Sequence, residues 1–179
     1  MKPTKIQAEE AVRTLLRFIG EDLARDGLQS TPTRVVNSYL ELFQGYQMEA
    51  ADLFAGEMQK VSGYNDVITL SNIEFVSYCE HHMSPIIGQV TISYVPGDKI
   101  IGIGRLARLV DIFAKRLQLQ ERITLQIATA IEQFLQPKGV SVEVTAAHHC
   151  LDAGGVKRTV TNLITIHKTG CFLSKATQI

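Results

Sequence analysis

The chain has 179 residues, 45% of them apolar and 20% charged, the composition of a water-soluble globular protein long enough for one domain with a substantial core. Lys plus Arg and Asp plus Glu balance at 18 each, so no basic surplus points to nucleic acid and no polybasic tail to a membrane surface. The apolar runs are too short to span a bilayer, and Met1-Lys2-Pro3-Thr4-Lys5 has no apolar stretch behind it. A reducing cytoplasm is therefore the expected compartment, and the three cysteines read as thiols or ligands rather than as a disulfide framework.

The first part of the chain reads as helical. Val12, Leu15, Leu16, Ile19 and Leu23 mark one apolar face, with Gly27 near its end. Thr31-Pro32 supplies an N-cap and a proline at the first helical position. Val35, Val36, Tyr39, Leu40 and Phe43 carry a second helix to about Gly45. Residues 48–63 have no clear period. From about Asp66 the period changes: residues 67–78 are rich in strand formers, and Val90, Ile92 and Tyr94 alternate with Gln89, Thr91 and Ser93. Pro96-Gly97-Asp98 is a turn, after which residues 99–103 read as extended again. Two helices follow. Leu106, Leu109, Val110, Phe113 and Leu117 line one; Ile123, Ile127, Ile131, Phe134 and Leu135 line the next, which stops before Pro137-Lys138-Gly139. A strand from Val140 and another from about Val160 to His167 complete the order. The expected class is α+β: a helical region over 1–65, then a β-β-α-α-β-β unit with an antiparallel sheet over 66–179, in one compact domain.

Four of the five histidines sit beside two of the cysteines, in Cys79-Glu80-His81-His82 and His148-His149-Cys150. Cys79 and His82 form a C-x2-H pair that one turn can aim at a single ion. The second segment ends the alternating run of Val140, Val142 and Val144. If that alternation continues, His148 and Cys150 share a face and His149 points away. One site can then collect Cys79, His82 and Cys150, with His81 and His148 nearby. Three protein ligands leave a fourth position for water, as in catalytic zinc sites. A lone C-x2-H arises often by chance, and Cys150 alone reads as a small buried residue. A shared metal site, a Cys/His nucleophilic site and plain structural residues all remain open at this point.

Four motifs in order carry a resemblance: Cys79-Glu80-His81-His82; the run from Ile101-Gly102-Ile103-Gly104-Arg105 to Arg108-Leu109-Val110; Gln118-Leu119-Gln120-Glu121-Arg122; and His148-His149-Cys150. With Gly27-Leu28 and Thr31-Pro32-Thr33-Arg34-Val35 before them, they resemble the GTP cyclohydrolase I family from about Ala11 to Phe172. The resemblance implies the tunnelling (T-) fold and homo-oligomeric rings, commonly decamers, with active sites between subunits. It implies hydrolytic opening of the guanine imidazole ring of GTP at C8, release of formate, and formation of 7,8-dihydroneopterin triphosphate. On this resemblance Cys79, His82 and Cys150 hold zinc. His81 serves the step at the ring nitrogen and His148 the ribose opening. Gln120 and Glu121 match the polar pair in the pocket, where a carboxylate distinguishes guanine from adenine. Without the family, Gln120-Glu121 reads as a solvated helix start, and Arg105, Lys157 and Arg158 as ordinary surface charges.

The match departs at three positions where the family usually places phosphate-facing polar or cationic groups: Asn37, Gly104 and Gly154. Arg34, Arg105 and Arg108 remain as anion binders, with Lys157-Arg158-Thr159 a shortened counterpart of a further segment. His167 and Cys171 match no role. The readings in competition are a zinc-dependent GTP cyclohydrolase I, a diverged relative acting on a less phosphorylated guanine nucleotide, nucleoside or related purine, a non-catalytic zinc-binding module of the same fold, and a Cys-nucleophile enzyme of the nitrile-reductase type.

Overall fold

A computed structural model describes residues 2–56, 58–61, 63–153 and 162–173. The chain forms two compact units, Met1–Gln44 and Gly45–Ile179. In the first, α1 spans Lys5–Phe18 and α2 spans Thr31–Leu42, and the two pack on each other. Thr4 and Gln7 form a reciprocal capping box at the start of α1, which satisfies two helix-end donors at once. The expected apolar face runs past the real end of this helix. Ile19 is the C-cap and Gly20 takes a φ of +91°, so Leu23 and Gly27 lie beyond it. The cap of α2 is Ser30 rather than Thr31, which puts Pro32 one position deeper. Thr31 Oγ1 is instead engaged with Gly27 O at 3.3 Å. The helix ends at Leu42, short of Gly45.

The second unit opens with the short helix α3 (Ala50–Phe54) and the two-residue strand β1 (Gln59–Lys60). Strands β2 (Ile68–Cys79) and β3 (Pro85–Val95) form a long antiparallel hairpin. The segment expected to be extended over 99–103 is a strand only at β4 (Lys99–Ile100). It pairs with β1 in a separate small ribbon, and α4 (Ile103–Ala114) starts at Ile103. Leu117, read as part of that helix, belongs to β5 (Leu117–Gln118), which runs parallel to the end of β2. Then come α5 (Gln120–Leu135), β6 (Gly139–His148), the single-turn helix α6 (His149–Ala153) and β7 (Asn162–Lys168).

The main sheet has the order β5-β2-β3-β6-β7 and is antiparallel except at β5. Its helix-covered face carries Val90, Ile92 and Tyr94 from β3 and Val140, Val142 and Val144 from β6, all at most 1% exposed. Leu106, Leu109 and Val110 of α4 and Ile123, Ile127 and Ile131 of α5 close over them. Each such aliphatic side chain contributes about 1.5–3 kcal/mol on leaving water. Alternation in the strands and the 3.6-residue period in the helices thus meet in one core, and the α+β class holds. No helix among the described residues is long and apolar enough to cross a membrane.

Gly88 shows how close β3 and β6 come. It sits opposite Ala146, and a Cβ there would collide with the Thr145 carbonyl oxygen and the Ala146 side chain. A Gly88→Ala substitution is expected to cost about 1–3 kcal/mol by overpacking, read as a lowered unfolding midpoint. An unchanged midpoint would mean the strands are not in this register.

Candidate metal centre and active site

The site grows from the ends of β2 and β6. Cys79 is the last residue of β2 and is only 4% exposed. The chain turns back at once: Cys79 N donates to Ser84 O at 2.9 Å, and Met83 N donates to Cys79 O at 2.8 Å. Met83 takes a left-handed φ of +54° to make the turn. Glu80 N donates to Gln118 O at 3.1 Å, which fastens the turn to β5. Because β3 starts from this turn and pairs Ile86 with His148, the end of β6 lies beside it.

The expected alternation does not continue through Cys150. The strand stops at His148 and the chain coils into α6. That coil, rather than strand periodicity, brings Cys150 to the turn. The ligand atoms of Cys79, His82 and Cys150 all lie within 4.8 Å of one another. For zinc bonds of about 2.0–2.3 Å, tetrahedral ligand atoms sit about 3.3–3.8 Å apart, so small side-chain adjustments suffice to close on one ion. Two thiols and an imidazole are a soft set that suits zinc over magnesium or calcium. These residues fit the metal.

His81 flanks this cluster, with Nδ1 3.9 Å from Cys79 Sγ and its ring 6.2 Å from that of His82. His148 is half-buried. Burial pushes its pKa below the ordinary histidine value, and the Glu121 carboxylate offsets part of that. Its Nε2 lies 2.9 Å from Gln120 Oε1. Gln120 is not the solvated helix start that its position suggests: it is fully buried. Glu121 beside it is exposed, in the first turn of α5.

Sequence reasoning missed three supporting contacts. Arg122 grips Glu80 through two hydrogen bonds of 2.6 and 3.4 Å, tying the β2–β3 turn to α5. The guanidinium holds the Glu80 carboxyl below the usual carboxylate range. Thr165 Oγ1 lies 3.2 Å from Gln120 Nε2, and Thr124 Oγ1 lies 2.6 Å from Thr165 Oγ1. Thr124 is one helical turn after Gln120, a legible spacing; its partner on β7 is not.

The phosphate candidates fall in both units. Arg105 and Arg108 lie on α4, and Arg34 is exposed on α2 in the first unit. The Arg105 guanidinium lies against Gly56 and lines a cavity of about 260 Å³ with Gln59 and Gly102. A Cβ at Gly104 would meet nothing within 4 Å, so packing does not demand glycine there. Gly154, Lys157, Arg158 and Thr159 lie outside the described residues.

A family model for GTP cyclohydrolase I matches residues 8–178. The chain belongs to the GTP cyclohydrolase I family. The GTP cyclohydrolase 1 of Rickettsia felis is 48% identical over 171 residues, covering 96% of this chain and 90% of its own. That of Sinorhizobium fredii is 46% identical, covering 96% and 83%. The apo archaeosine synthase QueF-Like shares the fold with a TM-score of 0.50 at 16% identity, over 62% of this chain and 97% of that one. The protein is thus an enzyme of the GTP cyclohydrolase I kind on a T-fold, as its motifs led one to expect.

Proposed function

We propose that this cyclohydrolase opens the guanine imidazole ring of GTP with zinc held by Cys79, His82 and Cys150, releases formate, and forms 7,8-dihydroneopterin triphosphate. The observation that carries the reading is the convergence of those three ligand atoms, from segments some seventy residues apart in sequence, beside two further histidines. When bound, the zinc supplies Lewis acidity and a water of lowered pKa at neutral pH.

The chain's own residues supply the rest. His81, next to Cys79, delivers the proton that the ring nitrogen needs as water adds at C8. His148 serves as acid and base for the ribose opening. Glu121, exposed at the start of α5, accepts from guanine N1–H and the exocyclic amine, a donor pair adenine lacks. Arg34, Arg105 and Arg108 bind phosphate oxygens. We place the reaction in a cytoplasmic homo-oligomer, a decamer by family resemblance, with sites between subunits. Exposed Leu15, Phe18 and Ile19 on the first unit support burial against further copies. The product would feed pterin and tetrahydrofolate biosynthesis.

A second reading concerns the substrate's phosphates. Asn37, Gly104 and Gly154 are neutral where the family usually recognises phosphate, and the open space at Gly104 shows that glycine is not required for packing. A charge-assisted hydrogen bond is worth roughly 1.5–3 kcal/mol. Two missing contacts should lower the preference for GTP over GDP or GMP by on the order of a hundredfold. Lys157, Arg158 or Lys168 would restore it by reaching in. The test is to incubate zinc-loaded protein with GTP, GDP, GMP and guanosine and measure formate, pterin fluorescence and kcat/KM. No formate from any of the four would refute the cyclohydrolase reading. A strong GTP preference, lost when Lys157 or Arg158 is changed, would refute the relaxed one.

A further inference from the structure

Gln120 is the most fully specified polar side chain near the site. It is 0% exposed. Its Nε2 lies 2.9 Å from both the Val144 and the Leu163 carbonyl oxygens, which take its two hydrogens, and 3.2 Å from Thr165 Oγ1. Carbonyls only accept, so the amide cannot be flipped without setting two oxygens against Oε1. The hydroxyls give the same answer. Thr124 Oγ1 donates to the Gln120 carbonyl oxygen at 2.9 Å, so Thr165 must donate to Thr124 across their 2.6 Å contact. Thr165 therefore turns a lone pair rather than its hydrogen toward the Gln120 amide, which suits an NH2 group at that end and not an oxygen.

Only Oε1 therefore faces His148 Nε2, at 2.9 Å, and Oε1 can only accept. The Nε2 atom must carry a hydrogen. A neutral imidazole has one N–H, so Nδ1 keeps its lone pair. We infer that Gln120 is a positioning residue that locks His148 as the Nε2–H tautomer and reserves Nδ1 for proton transfer. The lock survives a catalytic cycle, because a proton arriving at Nδ1 leaves the Nε2–H···Oε1 bond in place. Reserving Nδ1 for chemistry rests on the proposed role of His148; the tautomer itself rests on the hydrogen bonds alone.

The test is nitrogen-15 NMR of the full-length, zinc-loaded protein labelled at histidine, at a pH where His148 is neutral and without substrate. Protonated and bare ring nitrogens resonate in separate ranges, and the His148 signals are assigned by their absence in His148→Asn. The expected result is a protonated Nε2 and a bare Nδ1. Gln120→Met, which cannot accept a hydrogen bond from His148, should give a tautomer mixture and a kcat lower by on the order of tenfold to a hundredfold, with KM nearly unchanged. That is less than the about 10²–10⁴-fold typical of losing an acid–base group outright. A protonated Nδ1 in the unaltered protein overturns the inference, whether or not Gln120→Met folds, as does a Gln120→Met protein with an unaltered tautomer and kcat. Formate production by the same sample separates the two readings. Activity with the wrong tautomer sinks the lock alone. The expected tautomer without activity sinks the functional reading, and with it the use of Nδ1, while the lock stands.

Discussion

A Cys150→Ala protein is expected to retain no zinc and to lose turnover of GTP. Cys150 is one of three ligand atoms within 4.8 Å of one another, and removing it leaves one thiol and one imidazole on the β2–β3 turn. Two ligands on one turn hold zinc weakly against water, whereas a third from a distant segment closes the chelate. The fold should tolerate the change. Cys150 is only partly buried at the margin of the core, and alanine removes a single sulfur atom. Loss of metal with a nearly unchanged unfolding profile of the metal-free protein is thus the specific signature. Zinc per chain after gel filtration in a mild chelator is the measurement. Full stoichiometric zinc in the Cys150→Ala protein would sink the assignment of this ligand.

The same residue shows what the sequence could and could not convey. The clustering of Cys and His marked both segments, and the alternation through Val144 placed β6 correctly. The alternation then suggested that Cys150 shares a strand face with His148, and it does not: α6 intervenes. Period-two reasoning fails at strand ends because nothing in it says where hydrogen bonding to the neighbouring strand stops. The ends of α1 and α4 were misplaced for a related reason. Leu23 and Leu117 are apolar and in phase with the preceding helices, and phase alone does not locate a terminus.

Long-range polar pairing was the other thing out of reach. Gln120 sits at the start of α5, where a polar residue ordinarily meets water. Its burial is imposed by Val144 on β6 and by Leu163 and Thr165 on β7, strands that reach it only once the sheet is assembled. The Glu80–Arg122 pair likewise joins a turn and a helix forty-two residues apart. Motif resemblance could flag Gln120 and Glu121 as site residues. It could not show that Gln120 faces another side chain, the imidazole of His148.

His81→Ala and His148→Ala are both expected to keep their zinc and to lose turnover, by about 10²–10⁴-fold in kcat. They should differ in stability. His81 is exposed, and its contact with Cys79 Sγ is a long one, 3.9 Å, so deleting its ring should leave the unfolding midpoint nearly unchanged. His148 is the partner of a buried amide oxygen. Its removal leaves Gln120 Oε1 without a donor, at a cost of about 1–3 kcal/mol. A lowered midpoint in His148→Ala alone, with zinc still bound in both variants, would separate a proton-transfer defect from loss of the metal and from a general loss of fold. Near-normal rates for both variants at saturating GTP would remove the histidines from the chemistry. A normal rate in one alone would reassign its proton step to a neighbouring group, with His148 the more consequential case because a dedicated buried network holds its ring.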